Sequence, residues 1–136
     1  MRKALLFAIF IGLAGCGKGA PDLPQAALLH TDVDSLGFGQ ENGSGTYVGT
    51  STSNSLQLEN QGLDDLVINS VDLSGDPSFT VTGPDVTTVV SGTSALVTVY
   101  FTPESAGTYE GTLTITSNDA KSPKVVKLSG LALDPP

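Results

Sequence analysis

The sequence predicts an all-β chain with a single antiparallel β-sandwich, which follows a cleaved signal peptide and a flexible tether. From about Asp32 onward, the chain breaks into short runs of alternating apolar and polar residues, separated by clusters of Gly, Asn, Asp and Pro. Only 15% of the residues are charged, and the polar residues are mostly Thr, Ser and Gly, which favours strands over helices. A length of 136 residues allows one hydrophobic core.

The first 15 residues have the pattern of a signal peptide. Arg2 and Lys3 form a positive start, and residues 4–14 are an unbroken run of apolar or small residues. A helix that crosses a bilayer needs ~20 apolar residues, so this run is too short for a permanent span. We therefore expect it to be removed.

Cys16 stands where the apolar run ends. The segment Leu13-Ala14-Gly15-Cys16 resembles the lipobox of bacterial lipoprotein precursors. The resemblance implies that the chain is cut before Cys16 and that its thiol carries the lipid, which makes a membrane the first expected partner. The alternative is an ordinary secretory signal followed by a chance cysteine. Gly17 stands where Asp would favour inner-membrane retention, so in a Gram-negative cell we expect sorting to the outer membrane.

Residues 16–31 are predicted to form the lipidated cysteine and a flexible tether, and residues 32–136 the folded domain. Pro21 and Pro24 disfavour a regular helix, and no periodic pattern persists in this stretch. His30 is the single histidine, with no neighbours at ligand spacing. We interpret it as a solvated linker residue.

Two predicted strands show the clearest alternation. In residues 94–102, Val97, Val99 and Phe101 share one face, and residues 108–116 alternate in the same way. The segment 103–107 between them begins with Pro and ends with Gly, which predicts a turn and hence a hairpin. The remaining strands are expected at residues 35–38, 46–59, 66–73, 79–82, 86–90 and 124–133.

The ordered pattern of these strands resembles the choice-of-anchor D domains of bacteria, which are related to the abnormal-spindle and Hydin (ASH) type of immunoglobulin-like domain. The matching pieces are Leu36-Gly37-Phe38-Gly39, Leu56-x-Leu58-x-Asn60-x-Gly62, Val97-x-Val99-x-Phe101-x-Pro103, Gly107-x-Tyr109-x-Gly111-x-Leu113-x-Ile115-x-Ser117-Asn118-Asp119 and Leu128-x-Gly130-x-Ala132. The match covers essentially all of residues 33–133 and departs from the family at residues 40–55. The resemblance implies an immunoglobulin-like sandwich of seven to eight strands that serves as an interaction or spacing module.

The charge of the chain argues against a nucleic-acid partner. The whole chain carries a formal charge of −8, and the part after Arg2 and Lys3 therefore carries −10. Nucleic-acid backbones and anionic lipid surfaces both attract proteins with clustered Lys and Arg, and this sequence has no such cluster.

The sequence offers no catalytic constellation, and we expect no enzyme, cofactor or metal. It contains no Gly-rich phosphate loop, no nucleophile elbow and no Cys/His cluster. Four acidic residues have side chains that could bind calcium, but their spacing fits no calcium-loop template, and we interpret them as turn caps. They are Asp64, Asp65, Asp72 and Asp76.

Four apolar residues are candidates for a partner surface. Leu96 and Tyr100 fall on the otherwise Thr-rich face of their strand. In the last strand, Leu131 and Leu133 fall on the face where polar residues are expected. The alternative is that the first strand or the tether covers the two leucines.

These observations favour a non-enzymatic lipoprotein of the cell envelope that binds or spaces another envelope protein. The alternative from a different class is a glycan-dependent or calcium-dependent adhesion module.

Overall fold

The computed structural model describes residues 24–39 and 45–136, which form ten strands. Three predicted strands have the expected bounds, namely β2, β6 and β10. The strands are β1 (Leu29–Thr31), β2 (Ser35–Phe38), β3 (Thr46–Tyr47), β4 (Thr52–Asn60), β5 (Leu66–Gly75), β6 (Phe79–Thr82), β7 (Thr88–Val89), β8 (Ser94–Phe101), β9 (Gly107–Ser117) and β10 (Lys124–Leu133). Within these residues, no helix has the length and apolarity that a membrane crossing needs.

The strands form two sheets that pack as an immunoglobulin-like sandwich, which confirms the predicted fold class. One sheet has the order β1-β4-β8-β6. The other has the order β2-β10-β9-β5-β7, with β3 also paired to β10. Pairing is antiparallel except for β2 and β3, which run parallel to β10. The structure has more strands than the predicted seven to eight because it includes three short strands of only two or three residues, β1, β3 and β7.

The predicted alternation places the core correctly. Val97, Val99 and Phe101 of β8 are buried, as are Leu113 and Ile115 of β9, and all of them point between the sheets. In β10 every second residue from 126 to 132 is buried. Burial of every second residue is what a strand with one solvated face requires.

Aromatic rings fill one end of this core. Phe79 and Phe101 stack with ring centroids 4.9 Å apart, and Phe38 lies 5.6 Å from Phe79. Gly130 makes room for them, because a Cβ at this position would stand 2.7 Å from the Phe101 ring. The packing of the Phe101 ring thus requires a glycine at this position of the Leu-x-Gly-x-Ala motif.

The expected hairpin between residues 94–102 and 108–116 is wrong. The two strands lie in different sheets, since β8 pairs with β4 and β6, whereas β9 pairs with β5 and β10. The intervening turn crosses from one sheet to the other, and Gly107 has φ 144 there. The Tyr109 hydroxyl donates a hydrogen bond of 2.7 Å to the Ser105 carbonyl and secures the crossing.

The single strand expected at residues 46–59 is two strands. β3 pairs with β10 in one sheet, and β4 pairs with β8 in the other. A turn at residues 48–51 separates them, with Gly49 at φ 83 and a bond of 3.0 Å from Thr50 N to Tyr47 O. A chain that changes sheets must leave the ladder, which interrupts the strand.

The predicted boundary between the tether and the folded domain, at residue 31, lies too far along the chain. Residues 29–31 form β1, which pairs with residues 58–60 of β4. Ala27 is also in the core, with 7% of its surface exposed. The folded domain therefore begins before Asp32, because this short segment completes one edge of the four-stranded sheet.

Candidate functional site

The predicted lipid-attachment residue, Cys16, lies outside the described residues, and so do the signal peptide and the lipobox. The described chain starts at Pro24, eight residues further on. The geometry that bears on the anchor is therefore the way in which the chain after Pro24 joins the sandwich.

Residues 24–28, which we call the lead-in segment, lie across one end of the sandwich. Three backbone hydrogen bonds of 2.8 to 2.9 Å hold this segment against the loop between β4 and β5. They run from Leu63 N to Pro24 O, from Asp64 N to Gln25 O and from Gln61 N to Leu28 O. The point where the chain enters the domain is thus fixed by the backbone.

Asn60 organises this end of the molecule. Its side chain is 0% exposed and makes four hydrogen bonds to the backbone. The carbonyl oxygen accepts from Leu28 N (3.3 Å) and Gly62 N (2.9 Å), and the amide nitrogen donates to Asp64 O (2.8 Å) and Val89 O (2.9 Å). One buried amide therefore joins the lead-in segment, the β4–β5 loop and β7.

Gly62 allows the lead-in segment to approach closely. A Cβ on Gly62 would stand 1.9 Å from the carbonyl oxygen of Ala26 and 2.9 Å from Leu28 N. Both atoms belong to the backbone and cannot rotate away. The Asn-x-Gly motif thus allows the lead-in segment to pack against the β4–β5 loop.

The Ser-Asn-Asp motif, which begins at the last residue of β9, fastens the same end from the other sheet. The Asn118 side chain accepts from Val67 N at 2.8 Å and donates to Asp65 O at 3.0 Å. The Asp119 carboxylate, which is mostly buried, accepts from Leu29 N at 2.6 Å. The motif therefore connects β5 and β1 to the β9–β10 turn.

The predicted surface residues Leu96 and Tyr100 both lie on the outer face of β8. Leu96 is 42% exposed and Tyr100 is 37% exposed. They are four residues apart on one strand, with Gln57 and Ser53 opposite them on β4. The structure thus leaves both side chains open to solvent on a mostly polar face.

Leu131 and Leu133 lie on β10, on the outer face of the other sheet, so the four residues do not form one surface. Both are half-buried. A Cβ on Gly45 would stand 2.9 Å from Leu133 Cγ and 3.1 Å from Leu131 Cγ. Gly45, just before β3, therefore lies against these leucines, which is neither the first strand nor the tether that the alternative named.

The acidic side chains and His30 do not form a metal site in the part of the chain that the structure describes. No group of three or more His, Cys, Asp or Glu residues there stands close enough to hold an ion. Asp76 accepts a hydrogen bond from Ser78 N at 2.9 Å, in a turn between β5 and β6. Asp72, by contrast, lies within β5 and does not cap a turn. His30 is exposed, but it pairs with Glu59 within a strand and is not a linker residue.

A salt bridge between Lys124 and Asp34 gives a pH-dependent prediction. The hydrogen bond from Lys124 Nζ to Asp34 Oδ1, 2.7 Å long, and the Lys124 charge lower the pKa of the Asp34 carboxyl. Because the folded-state pKa lies below the unfolded value, the pair stabilises the fold above the unfolded pKa, and this contribution is lost as the pH falls through the folded pKa. Both groups are exposed, so we expect a small effect on stability.

We expect Lys124→Met to raise the Asp34 pKa towards its ordinary value, which a carboxyl-detected NMR titration measures. Lys127→Met, a change to the next lysine along the same strand, serves as the control. An Asp34 pKa that is the same with and without Lys124 would contradict the prediction.

Sequence reasoning missed the lead-in segment and one exposed sheet edge. The contacts of residues 24–28 depend on Asn60 and Gly62, which the sequence indicated only as a turn motif. The edge belongs to β5, a ten-residue strand that β7 covers over only two residues. The sequence gives no signal for this edge, because it predicts a strand at residues 86–90 that is longer than the observed β7.

Comparison with known proteins agrees with this architecture. A sequence model of the family described as HYDIN/CFA65/VesB-like, Ig-like domain matches residues 27–131. No curated protein matches the chain. The family match starts at Ala27, close to the point where the chain joins the core.

Solved structures show the same fold at low identity. The ASH/PapD-like domain 7 of human CEP192 has a TM-score of 0.58 and 18% identity, over 93% of this chain and 99% of that one. A protein of unknown function from Porphyromonas gingivalis has a TM-score of 0.64 and 19% identity, over 93% of this chain and 53% of that one. The secreted serine protease VesC from Vibrio cholerae has a TM-score of 0.54 and 17% identity, over 79% of this chain but only 23% of the protease. The resemblance to ASH-type domains is confirmed, and these likenesses show the fold alone.

Proposed function

Because this chain belongs to the HYDIN/CFA65/VesB-like family of Ig-like domains, we propose that it is a non-enzymatic, membrane-anchored lipoprotein that binds or spaces other proteins in the cell envelope. The family match extends over nearly all of the described sandwich. Among the described residues, the buried polar side chains Asn60 and Asp119 are committed to backbone hydrogen bonds. Their hydrogen bonds support a structural role rather than a catalytic one.

The observation that carries the proposal is the fixed entry of the chain at the lead-in segment. Pro24, where the hydrogen bonds to the sandwich begin, is the eighth residue after Cys16. Eight extended residues span at most about 28 Å. A lipid on Cys16 would therefore hold the domain close to the bilayer, with its Asn60 end facing the lipid.

Acyl chains on Cys16 would supply the membrane affinity. Each buried methylene contributes about 0.8 kcal/mol, and two or three chains hold a protein far more firmly than one. In a double-membrane cell, Gly17 after the cysteine supports an outer-membrane address. The charge of −10 after the first lysine keeps the rest of the chain off anionic lipid, so the lipid alone provides the attachment.

We expect Cys16→Ala to abolish incorporation of radiolabelled palmitate and to move the protein from the membrane fraction to the soluble fraction. The substitution lies eight residues before the described domain, so the circular dichroism spectrum should keep its β-sheet signature. Ala20→Cys in the Cys16→Ala background is a matched control, since it restores a thiol without restoring the lipobox. Equal labelling of wild type and Cys16→Ala would reject the anchor.

The interaction role needs a separate test. Chemical cross-linking in intact cells, followed by mass spectrometry, should recover a specific protein neighbour of the wild-type chain. A folded, membrane-bound protein that yields no neighbour would count against the role. Titration with calcium and screening on a glycan array test the adhesion alternative in parallel.

A further inference from the structure

One long edge of the six-stranded sheet has no partner among the described residues. β7 pairs only with Leu66 and Val67, and the last backbone contact on this side runs from Ile68 N to Thr87 O at 2.8 Å. The register shifts between Ile68 and Ser70, and from there to Gly75 the strand pairs with β9 alone. This free edge, residues 69–75 of β5, is about 23 Å long.

The free edge borders an open side of the sandwich. β6, the edge strand of the other sheet, lies on the same side, and within residues 24–39 and 45–136 it pairs only with β8. Val71 and Leu73 of β5 and Val81 of β6 pack against the core and remain partly exposed. Unpaired backbone groups therefore lie beside an incompletely covered apolar strip. An added strand would form hydrogen bonds with these groups and would cover the strip.

The charge of the edge argues against a second copy of this chain as the occupant. Asp72 stands exposed in the middle of the edge, and its Oδ2 accepts a hydrogen bond of 2.9 Å from Ser70 Oγ. Two copies paired antiparallel about this point would place like charges opposite each other, which is destabilising. The net charge of −8 on each chain adds to this repulsion.

We propose that the free edge of β5 binds an extended strand of a partner protein by strand addition. The backbone of that strand would pair with residues 69–75. Its alternate side chains would be apolar towards Val71, Leu73 and Val81, with a Lys or Arg on the outer face opposite Asp72. The inference rests on the proposed interaction role and names its surface and the chemistry of its partner.

A photo-crosslinking amino acid at Ser74 tests the edge in cells that make the full chain. Ser74 is exposed on the free edge, and Ser55 on β4 is an exposed control in the other sheet. We expect an adduct from position 74 and none from position 55. Asp72→Lys should reduce the adduct about tenfold, because attraction becomes repulsion, whereas Glu104→Lys, the same charge change elsewhere, should not. Adducts from position 55 alone, or an adduct that Asp72→Lys leaves unchanged, would overturn the proposal.

A synthetic peptide tests the edge without the natural partner. The probe has nine residues that alternate threonine and valine, with threonine at both ends and a lysine in place of the central threonine, so that the lysine lies on the threonine face. It is added to the isotope-labelled Cys16→Ala chain. We expect NMR shifts and slowed amide exchange at residues 69–75, and no effect from a peptide whose backbone is N-methylated. A peptide with glutamate at the centre should prefer the Asp72→Lys variant. Shifts confined to other residues, or none at all, would refute strand addition at this edge.

The two experiments separate this inference from the proposed function. Neighbours that cross-link only from other surfaces leave the interaction role intact and reject the edge. Peptide binding at the edge with no neighbour in cells rejects the interaction role and leaves the edge as a strand acceptor.

Discussion

Replacing Gly62 with alanine will lower the free energy of unfolding by about 3 kcal/mol. The new Cβ would lie 1.9 Å from the Ala26 carbonyl oxygen, so the lead-in segment must move away from the β4–β5 loop. That movement breaks the hydrogen bonds to Leu63 and Asp64. Urea denaturation followed by circular dichroism measures the loss, and faster exchange of the Leu63 and Asp64 amides reports the released segment.

Gly92→Ala is the control for this substitution. Gly92 has φ 77, and no atom lies within 4 Å of the place that a Cβ would occupy, so alanine there introduces backbone strain without a clash. We expect a cost of about 1 kcal/mol from the left-handed conformation alone. Equal losses for Gly62→Ala and Gly92→Ala would contradict the role of close approach at Gly62.

Replacing Asn60 with alanine will cost about 3 kcal/mol, because it leaves several buried backbone groups without partners. Two N–H groups and two carbonyl oxygens lose their hydrogen bonds at once. The same denaturation measurement applies. Asn54→Ala is a matched control, since Asn54 is half-buried and its amide donates one hydrogen bond, to Gly37 O.

Asn60→Asp separates hydrogen bonding from volume. A carboxylate keeps the acceptor for Leu28 N and Gly62 N, but it places a buried negative charge against the Asp64 and Val89 carbonyl oxygens. Burial and these acceptors will raise the pKa of the new carboxyl. The variant should therefore gain stability relative to wild type as the pH falls, and a variant that loses stability in parallel with wild type would refute the Asn60 network.

The alternation of apolar and polar residues predicted most of the strands because the apolar residues mark the face of each strand that packs against the core. In β8 and β10 every second position is apolar or small, so the inward face of both strands, and the bounds of β10, follow from the sequence itself. The pairing of strands is not encoded in this way. Residues 94–102 and 108–116 have similar patterns whether they form a hairpin or face each other across the core.

The same limit applies to the candidate sites. Leu96 and Leu131 are both recognisable in the sequence as apolar residues on outward faces, and the structure places them outward. Their separation into two sheets depends on long-range pairing, which no local pattern contains. Asn60 stands out in the sequence only as part of a motif, because the four partners of its side chain come from segments up to 32 residues away. Cys16 is identified from local sequence, and it remains a prediction.

The course of β10 determines how far apart Pro24 and the residues after Leu133 lie on the described sandwich. Lys124 starts this strand near the turn that holds Leu29, and Leu133 ends it beside Tyr47 at the opposite end of the sandwich. Ten residues of strand extend about 33 Å. A reporter fused after Pro136 would therefore sit about one strand length from Pro24, at the end of the sandwich opposite to the entry of the chain.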